Sequence, residues 1–277
     1  MPLVDILLAT YNGARFLPDL LESLQKQSID GWRLIVRDDG SGDGTPELVE
    51  RWAGETGACC IFLRDGDRGL GASGNFARLL SASDAPYFMF CDQDDVWMPD
   101  KVALALETVS LAERDCGSDT PLLAHCDLTV VDETLEPVAP SFWAHQEFAY
   151  TEATAGLQDV KARRSLLVRN FVTGCTMIGN AALRARAVPI PADCVMHDWW
   201  MALVAAHLGE IRAIEQPGIL YRQHTSNTLG ARRWTFSAVA ARGLSRPGAV
   251  IQRTRAWLVA ARLQAQELHE RFAGELS

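Results

Sequence analysis

Apolar residues fall into two rhythms along this chain, and the rhythms alternate. Leu3–Ala9 is a short, nearly continuous apolar run that stops at Asn12-Gly13, which predicts a strand buried on both faces and then a turn. Phe16, Leu17, Leu20, Leu21 and Leu24 recur at three and four, the spacing of one helix face. Arg33–Arg37 (RLIVR) predicts a second strand. Thr45-Pro46-Glu47 predicts a helix start, with Thr as N-cap and Pro at the first helical position. Cys59–Leu63 predicts a third strand, followed by a glycine-rich loop and a helix around Asn75–Leu80. Tyr87–Cys91 predicts a fourth strand, and Met98-Pro99-Asp100 opens a helix that runs to about Leu111. This alternation predicts an α/β fold with a doubly wound, mostly parallel sheet.

The second half is less regular. Strands are predicted at Leu122–Val131, Phe171–Ile178, Glu210–Ile214 and Ile219–Arg222, with a helix at His197–His207. Residues 135–165 are the most irregular segment. Near the C-terminus Val250, Trp257, Ala261, Ala265, Leu268 and Phe272 keep helical spacing.

Composition bounds the class. The chain has 277 residues, 48% hydrophobic and 22% charged, with a net charge of −9. That fits one sizeable globular domain and excludes a disordered or collagen-like chain. The negative charge argues against a nucleic-acid partner. No apolar run approaches ~18 residues, so no membrane-spanning helix is expected. The N-terminus has neither a basic leader nor an apolar signal core, and the seven cysteines form no CxxC pair. A cytoplasmic location with reduced thiols is the expectation. Charge is uneven, however. Eight of the 26 basic residues are arginines between Gln216 and Gln266, where there is no lysine and no acid. The other 18 stand against 35 acids, so the rest of the chain carries −17. Two readings of that segment are open: a helix packed on the core with its arginines in solvent, or a peripheral contact with anionic lipid at the inner membrane face.

The candidate chemistry gathers at one edge. Ligands of an open parallel sheet bind beyond the carboxyl ends of its strands. The four predicted strands end in Thr10-Tyr11-Asn12, Asp38-Asp39, Arg64-Asp65 and Asp92-Gln93-Asp94-Asp95. Carboxylates gathered there repel one another unless a cation compensates. Oxygen ligands suit Mg²⁺ or Mn²⁺ bridging to a diphosphate, with Asp92 and Asp94 as the site. Farther on, Asp198 lies among aromatics at a helix start, where low dielectric would lift its pKa towards that of a useful general base. Arg222 and His224 could neutralise a leaving diphosphate, or His224 could complete the metal shell. Gly174 puts a small residue where backbone could approach a ligand. Trp199 and Trp200 either stack on a sugar or belong to the core. Two further patterns are set aside. Gly69–Gly74 spells GxGxxG, but Arg64–Arg68 separates it from the strand it should follow. Asp39–Glu50 nearly spells a calcium loop, but a strand rather than a helix leads into it.

The segments ATYNGARFLPDLLESL, VRDDGSGDGT, CDQDDVWMPDK, HDWWMALVA and YRQHTSNTLG, in that order, resemble family 2 glycosyltransferases of the GT-A fold. The likeness is greatest to the rhamnosyltransferase-type members that build bacterial cell-surface polysaccharides such as O-antigen and capsule. It covers residues 3–230. It implies a GT-A domain over 1–230, with a nucleotide-sugar half (1–115) and an acceptor half (116–230), and a basic helical extension over 231–277. By the same resemblance, Thr10 and Tyr11 would frame the nucleotide base and Asp39 would bond its imide edge. Arg64, Asp92, Gly174 and Arg222 would complete the donor site. Asp94 would ligate the metal with His224, Asp92 would act through water or on the ribose, and Asp198 would be the catalytic base. Trp199 and Trp200 would meet the acceptor. One departure is visible: the usual Glu-Asp pair is His197-Asp198 here. The implied donor is dTDP-L-rhamnose or, failing that, a UDP-hexose or UDP-N-acetylhexosamine, and the acceptor is a lipid-linked saccharide. A nucleotidyltransferase would instead carry a basic glycine-rich loop after the first strand. A non-catalytic nucleotide-sugar binder would lack Asp94, Asp198 or His224.

Overall fold

The computed structural model describes residues 2–145, 160–225 and 247–275. The first half follows the predicted alternation: β1 (Val4–Thr10), α1 (Leu17–Gln25), β2 (Trp32–Asp38), α2 (Thr45–Thr56), β3 (Cys60–Phe62), α3 (Gly71–Ala82) and β4 (Tyr87–Asp92). There follow β5 (Val96–Trp97), α4 (Lys101–Cys116), β6 (Leu122–Val131), β7 (Pro137–Ala139), α5 (Phe142–His145) and α6 (Val160–Leu166). A 3-10 turn (Gly174–Thr176) leads to β8 (Met177–Asn180), α7 (Ala181–Ala187), α8 (His197–Leu208), β9 (Glu210–Arg222) and α9 (Pro247–Phe272). Part of the irregular segment (146–159) and the arginines at 232, 233, 242 and 246, with Trp234 and Phe236, lie outside the described residues.

One sheet runs through the molecule in the order β3-β2-β1-β4-β8-β6-β9-β5, with β7 pairing off β6. The strands β3, β2, β1 and β4 are all parallel. Beyond β4 the sheet is mixed: β8 is antiparallel to both β4 and β6, β6 and β9 are parallel, and β5 is antiparallel to β9. Helices cover both faces, which explains the unbroken apolar runs of the central strands. Ile6 and Leu8 of β1 enter one core cluster with Leu20, Leu24 and Val109. Leu7 enters the other, with Phe76, Phe90 and Trp200.

Two predicted elements differ. The strand expected from Phe171 begins only at Met177. Gly174 lies against α8, where a Cβ would meet His197 Nε2 at 3.0 Å and Asp198 Cβ at 3.2 Å, and the chain turns there instead of extending. The strands expected at 210–214 and 219–222 are one strand, β9. Its pairing with β6 slips between Cys126 and Asp127 and again before Thr129. Pro217 falls at that slip and has no N–H to offer the ladder. All seven cysteines are free thiols, and among the described residues no helix is long and apolar enough to cross a membrane.

Candidate active site

Parallel pairing brings the ends of β1, β2 and β4 level. Thr10 pairs with Asp38, and Ala9 with Asp92. The loops after these strands are then stitched together by side chains. Asp38 accepts hydrogen bonds from Thr10 Oγ1 (2.8 Å), Gly40 N (3.0 Å), Ser41 N (2.7 Å) and Ser41 Oγ (2.6 Å). Asn12, in the left-handed region at φ 47°, donates its N–H to Ser41 and accepts from Gly42 N. Gln93 clasps Tyr11 through both amide atoms, accepting from Tyr11 N at 2.8 Å and donating to Tyr11 O at 2.9 Å. A Cβ on Gly13 would overlap the Gln93 side chain, so a larger residue there would displace Gln93 and open the clasp. Tyr11 is left 56% exposed, as an open platform.

Asp39 is buried, and its carboxylate accepts from Leu70 N and Gly71 N (both 2.9 Å) and from Arg37 Nη1 (3.1 Å). These amides belong to the GxGxxG stretch, so the nest that could have cradled a phosphate is filled by the protein's own acid. Arg37, itself buried, also donates to both oxygens of Asp65 and to Asn75 and Asp67 O. The sequence reading selected Arg64 and passed over Arg37. Arg64 pairs with Glu50 of α2 and its side chain is 74% exposed, away from the buried network that Arg37 holds. The signal for Arg37 was a cation at the carboxyl end of the apolar run Leu34–Val36.

The acid rim follows β4. Oxygens of Asp92 and Asp95 and Sγ of Cys175 lie within 4.8 Å of one another. Asp94 Oδ2 and His224 Nε2 are 2.7 Å apart. Burial, then the charges of Asp94 and Asp198, push the Asp92 carboxyl up to about 7. Asp95 is fully buried and held well above the usual carboxylate range by burial and by Asp94 and Asp92. The Cys175 thiol is also raised by burial and stays protonated. A cluster of acids with so little compensating charge fits a divalent cation, and its oxygen-rich donor set suits Mg²⁺ or Mn²⁺. Behind the rim Lys101 is buried, with Nζ 3.0 Å from the Trp97 ring centroid, and its pKa is lowered by burial to about 8.

Arg222 is a correction. Its guanidinium is only 2% exposed and is committed to Asp94 O (2.9 Å), Glu133 O (2.7 Å) and Asp19 (2.6 Å), over the Phe16 ring. It fastens the end of β9 to the acid loop, and its N–H donates to Asp95 Oδ1. It thereby sets His224 beside Asp94 and does not itself face a diphosphate.

Asp198 sits at the start of α8, where it accepts from Asn170 Nδ2 (3.1 Å), Gly174 N (3.0 Å) and Trp199 N (2.6 Å). Gly174 therefore serves the acid through its backbone. Burial lifts the Asp198 carboxyl to about 6, against the pull of the Gly174 and Trp199 amides. His197 is stacked on Phe76 with centroids 4.2 Å apart, and burial lowers its pKa to about 3, so it is neutral. Trp199 and Trp200 are a second correction, because they are 1% and 0% exposed and cannot meet an acceptor sugar. Their indole N–H groups donate to Leu166 O and Ala187 O. Every residue of α8 from His197 to Ala206 is buried, and a helix apolar all round is a core helix.

Comparison with known proteins gives a consistent set. Residues 5–120 match the family described as Glycosyl transferase family 2. The chain is 26% identical over 231 residues to the dTDP-rhamnosyl transferase RfbG of Shigella flexneri, covering 81% of this chain and 74% of that one. It is 30% identical over 116 residues to the putative teichuronic acid biosynthesis glycosyltransferase TuaG of Bacillus subtilis, 42% of this chain and 44% of that one. Among solved structures it resembles S. aureus TarS 1-349 in complex with UDP-GlcNAc, with a TM-score of 0.62 and 16% identity over 82% of this chain and 60% of that one. It also resembles the mannosyltransferase PcManGT from Pyrobaculum calidifontis in complex with GDP-Man and Mn²⁺, with a TM-score of 0.59 and 18% identity over 95% and 74%. The chain thus spans less than half of TuaG and three fifths of that TarS fragment.

Proposed function

We propose that the chain, whose fold is that of the solved glycosyltransferases it resembles, is a family 2 glycosyltransferase that transfers L-rhamnose from dTDP-L-rhamnose, with inversion, to a saccharide acceptor in cell-surface polysaccharide synthesis. The observation that carries the chemistry is the convergence of Asp92, the Asp94–His224 pair and Asp198. Asp198 lies close enough to raise the Asp92 pKa. The choice of sugar rests on the likeness to the rhamnosyl transferase, which extends through both halves of the domain. The same likeness supports a division of labour between 1–115 for the donor and 116–230 for the acceptor.

In this reading Thr10 and Tyr11 frame the base, and the Tyr11 ring offers a face for it. Asp39 acts from beneath by fixing residues 69–71, and Arg37 fixes Asp39. Asp94 and His224 would hold the metal, with Asp92 beside them. When bound, that ion neutralises charge on the leaving diphosphate. Asp198 takes the proton from the acceptor hydroxyl as its oxygen attacks the anomeric carbon. The bond from that carbon to the diphosphate breaks on the opposite side. With one base and no covalent nucleophile the displacement is single, so the anomeric configuration inverts. Neutral His197 adds no charge beside the base. The acceptor is a lipid-linked saccharide, which brings the enzyme to the inner membrane face.

A thermal-shift series with dTDP-L-rhamnose, UDP-hexoses and UDP-GlcNAc, each with and without Mn²⁺, tests this. The largest rise is expected from dTDP-L-rhamnose with Mn²⁺. A larger rise from a UDP-sugar would transfer the assignment to that donor, the reading favoured by the likeness to TarS.

A further inference from the structure

The fold uses only one side of α9. Ala261, Gln264, Leu268 and Phe272 are buried against the core. Trp257 stacks on Trp199 with centroids 5.3 Å apart, Gln264 accepts the Val195 N–H at 3.0 Å, and Arg271 lies over the Trp200 ring at 4.9 Å. These contacts fix the rotation of the helix about its axis.

The far side is therefore defined, and it interleaves apolar residues with polar ones, exposed Gln252, Gln266 and Glu270 among them. Leu258, Val259 and Leu263 are 48%, 58% and 51% exposed. Positions 255, 258, 259, 262 and 263 follow the three-and-four spacing of one helical stripe. Arg255 and Arg262 are exposed in that stripe; no acid occurs from Gln223 to Gln266, and the acids of the helix, Glu267 and Glu270, lie towards its C-terminal end, Glu267 being paired with Arg271. A helix that merely capped the core would turn a charged, mixed-sign face to water. Apolar side chains interleaved with arginines suit the headgroup layer of a bilayer, with the aliphatic groups at the acyl boundary and the guanidinium groups on phosphates.

We propose that this outer face of α9 docks on an anionic lipid surface. Charge complementarity selects that occupant. A second copy in a two-fold contact would bring the same arginines to the same patch. A phosphate-bearing bilayer attracts them and repels the acid-rich remainder of the chain, which orients the molecule. The inference rests on α9 and not on the donor assignment, although it supplies a location for a lipid-linked acceptor.

The full chain is sedimented with vesicles of phosphatidylcholine alone and of equal parts phosphatidylcholine and phosphatidylglycerol. Binding is expected only to the mixed vesicles and should weaken with salt. R255E/R262E should weaken it at least about twentyfold, each arginine near such a surface being worth roughly fivefold. L258S/V259S/L263S should also weaken it, and both variants should keep the wild-type melting temperature and nucleotide-sugar response. If either variant melts lower, R255Q/R262Q takes its place. Wild-type chain that ignores phosphatidylglycerol, or variants that bind as well as wild type, would overturn the proposal. So would a dimer that the triple variant dissolves, which would assign the face to a second copy. Loss of the nucleotide-sugar response with vesicle binding intact would instead strike the donor assignment alone.

Discussion

Two sets of carboxylates stand at the same rim, and the fold treats them in opposite ways. Asp38 and Asp39 are met by donors on every side, from backbone amides, hydroxyls and the Arg37 guanidinium. Asp92 and Asp95, across β1, have each other, Asp94 and a protonated thiol for company, and their pKa values rise despite the Arg222 N–H on Asp95 and the buried Lys101 nearby. A saturated acid organises the protein; an uncompensated one stores repulsion that a cation can relieve. The difference separates the residues that build the site from those that await a ligand, although all are aspartates at strand ends.

The largest effect expected falls on Asp198. Asp198→Asn should lower kcat by ~10²–10⁴-fold while calorimetry finds donor affinity unchanged. In the wild type kcat/KM should climb tenfold per pH unit and level off near pH 6, where Asp198 loses its proton. Near-normal turnover of the variant would assign the base elsewhere. Next, Asp94→Asn should reduce Mn²⁺-dependent donor affinity by ~10–100-fold, leaving the metal-free baseline unchanged; equal affinity with and without Mn²⁺ in the wild type would remove Asp94 from the metal shell.

Stability then sharpens the contrast. Asp39→Asn removes a carboxylate charge from beside buried Arg37 and leaves one of the two loop amides facing an NH2 group in a buried place. A loss of ~3 kcal/mol follows, read as a melting point lowered by roughly 5–10 °C. Asp92→Asn should act with the opposite sign. The folded state holds the Asp92 proton up to about pH 7, against a usual value of 3.8. Its contribution is therefore present at low pH and is lost as pH rises through 7. The variant should melt higher than wild type at pH 8 and equally at pH 3, and Mn²⁺ should close the gap at pH 8. If both substitutions lower the melting point alike, the distinction between the two sets fails. The smallest effect belongs to Arg64→Ala, which removes an exposed pair with Glu50 and should move melting by less than about 1 °C, with donor binding unchanged.

The first half of the fold was legible because each strand and helix announces itself locally, through apolar runs, the helix start at Thr45-Pro46 and the turns between them, although the N-cap of α2 is Gly44 and not Thr45. The second half was less so. β8 begins late because Gly174 must fit under Asp198, and β9 continues through Pro217 because β6 pairs with it on both sides of the slip. The gathering of Asp38, Asp39, Asp92 and Asp94 at one rim was readable from strand ends; that Asp198, at a helix start, and His224 belong with them came from the resemblance. What each charged or aromatic side chain touches was not readable. Arg64 and Arg37 both close apolar strands, yet one meets solvent and the other four partners. Arg222 ends in a cage set by Asp19 and Glu133, residues distant in the chain. The burial of Trp199 and Trp200 did carry a signal, the apolar stretch WWMALVAA, which leaves no polar face for a surface helix.

The Gln93 clasp on Tyr11 has a consequence for how a donor would be received. It ties the segment under the base to the segment bearing the acids, so neither can swing away alone. The ordering of this recess is settled when the chain folds. An incoming nucleotide therefore spends none of its affinity assembling the two sides.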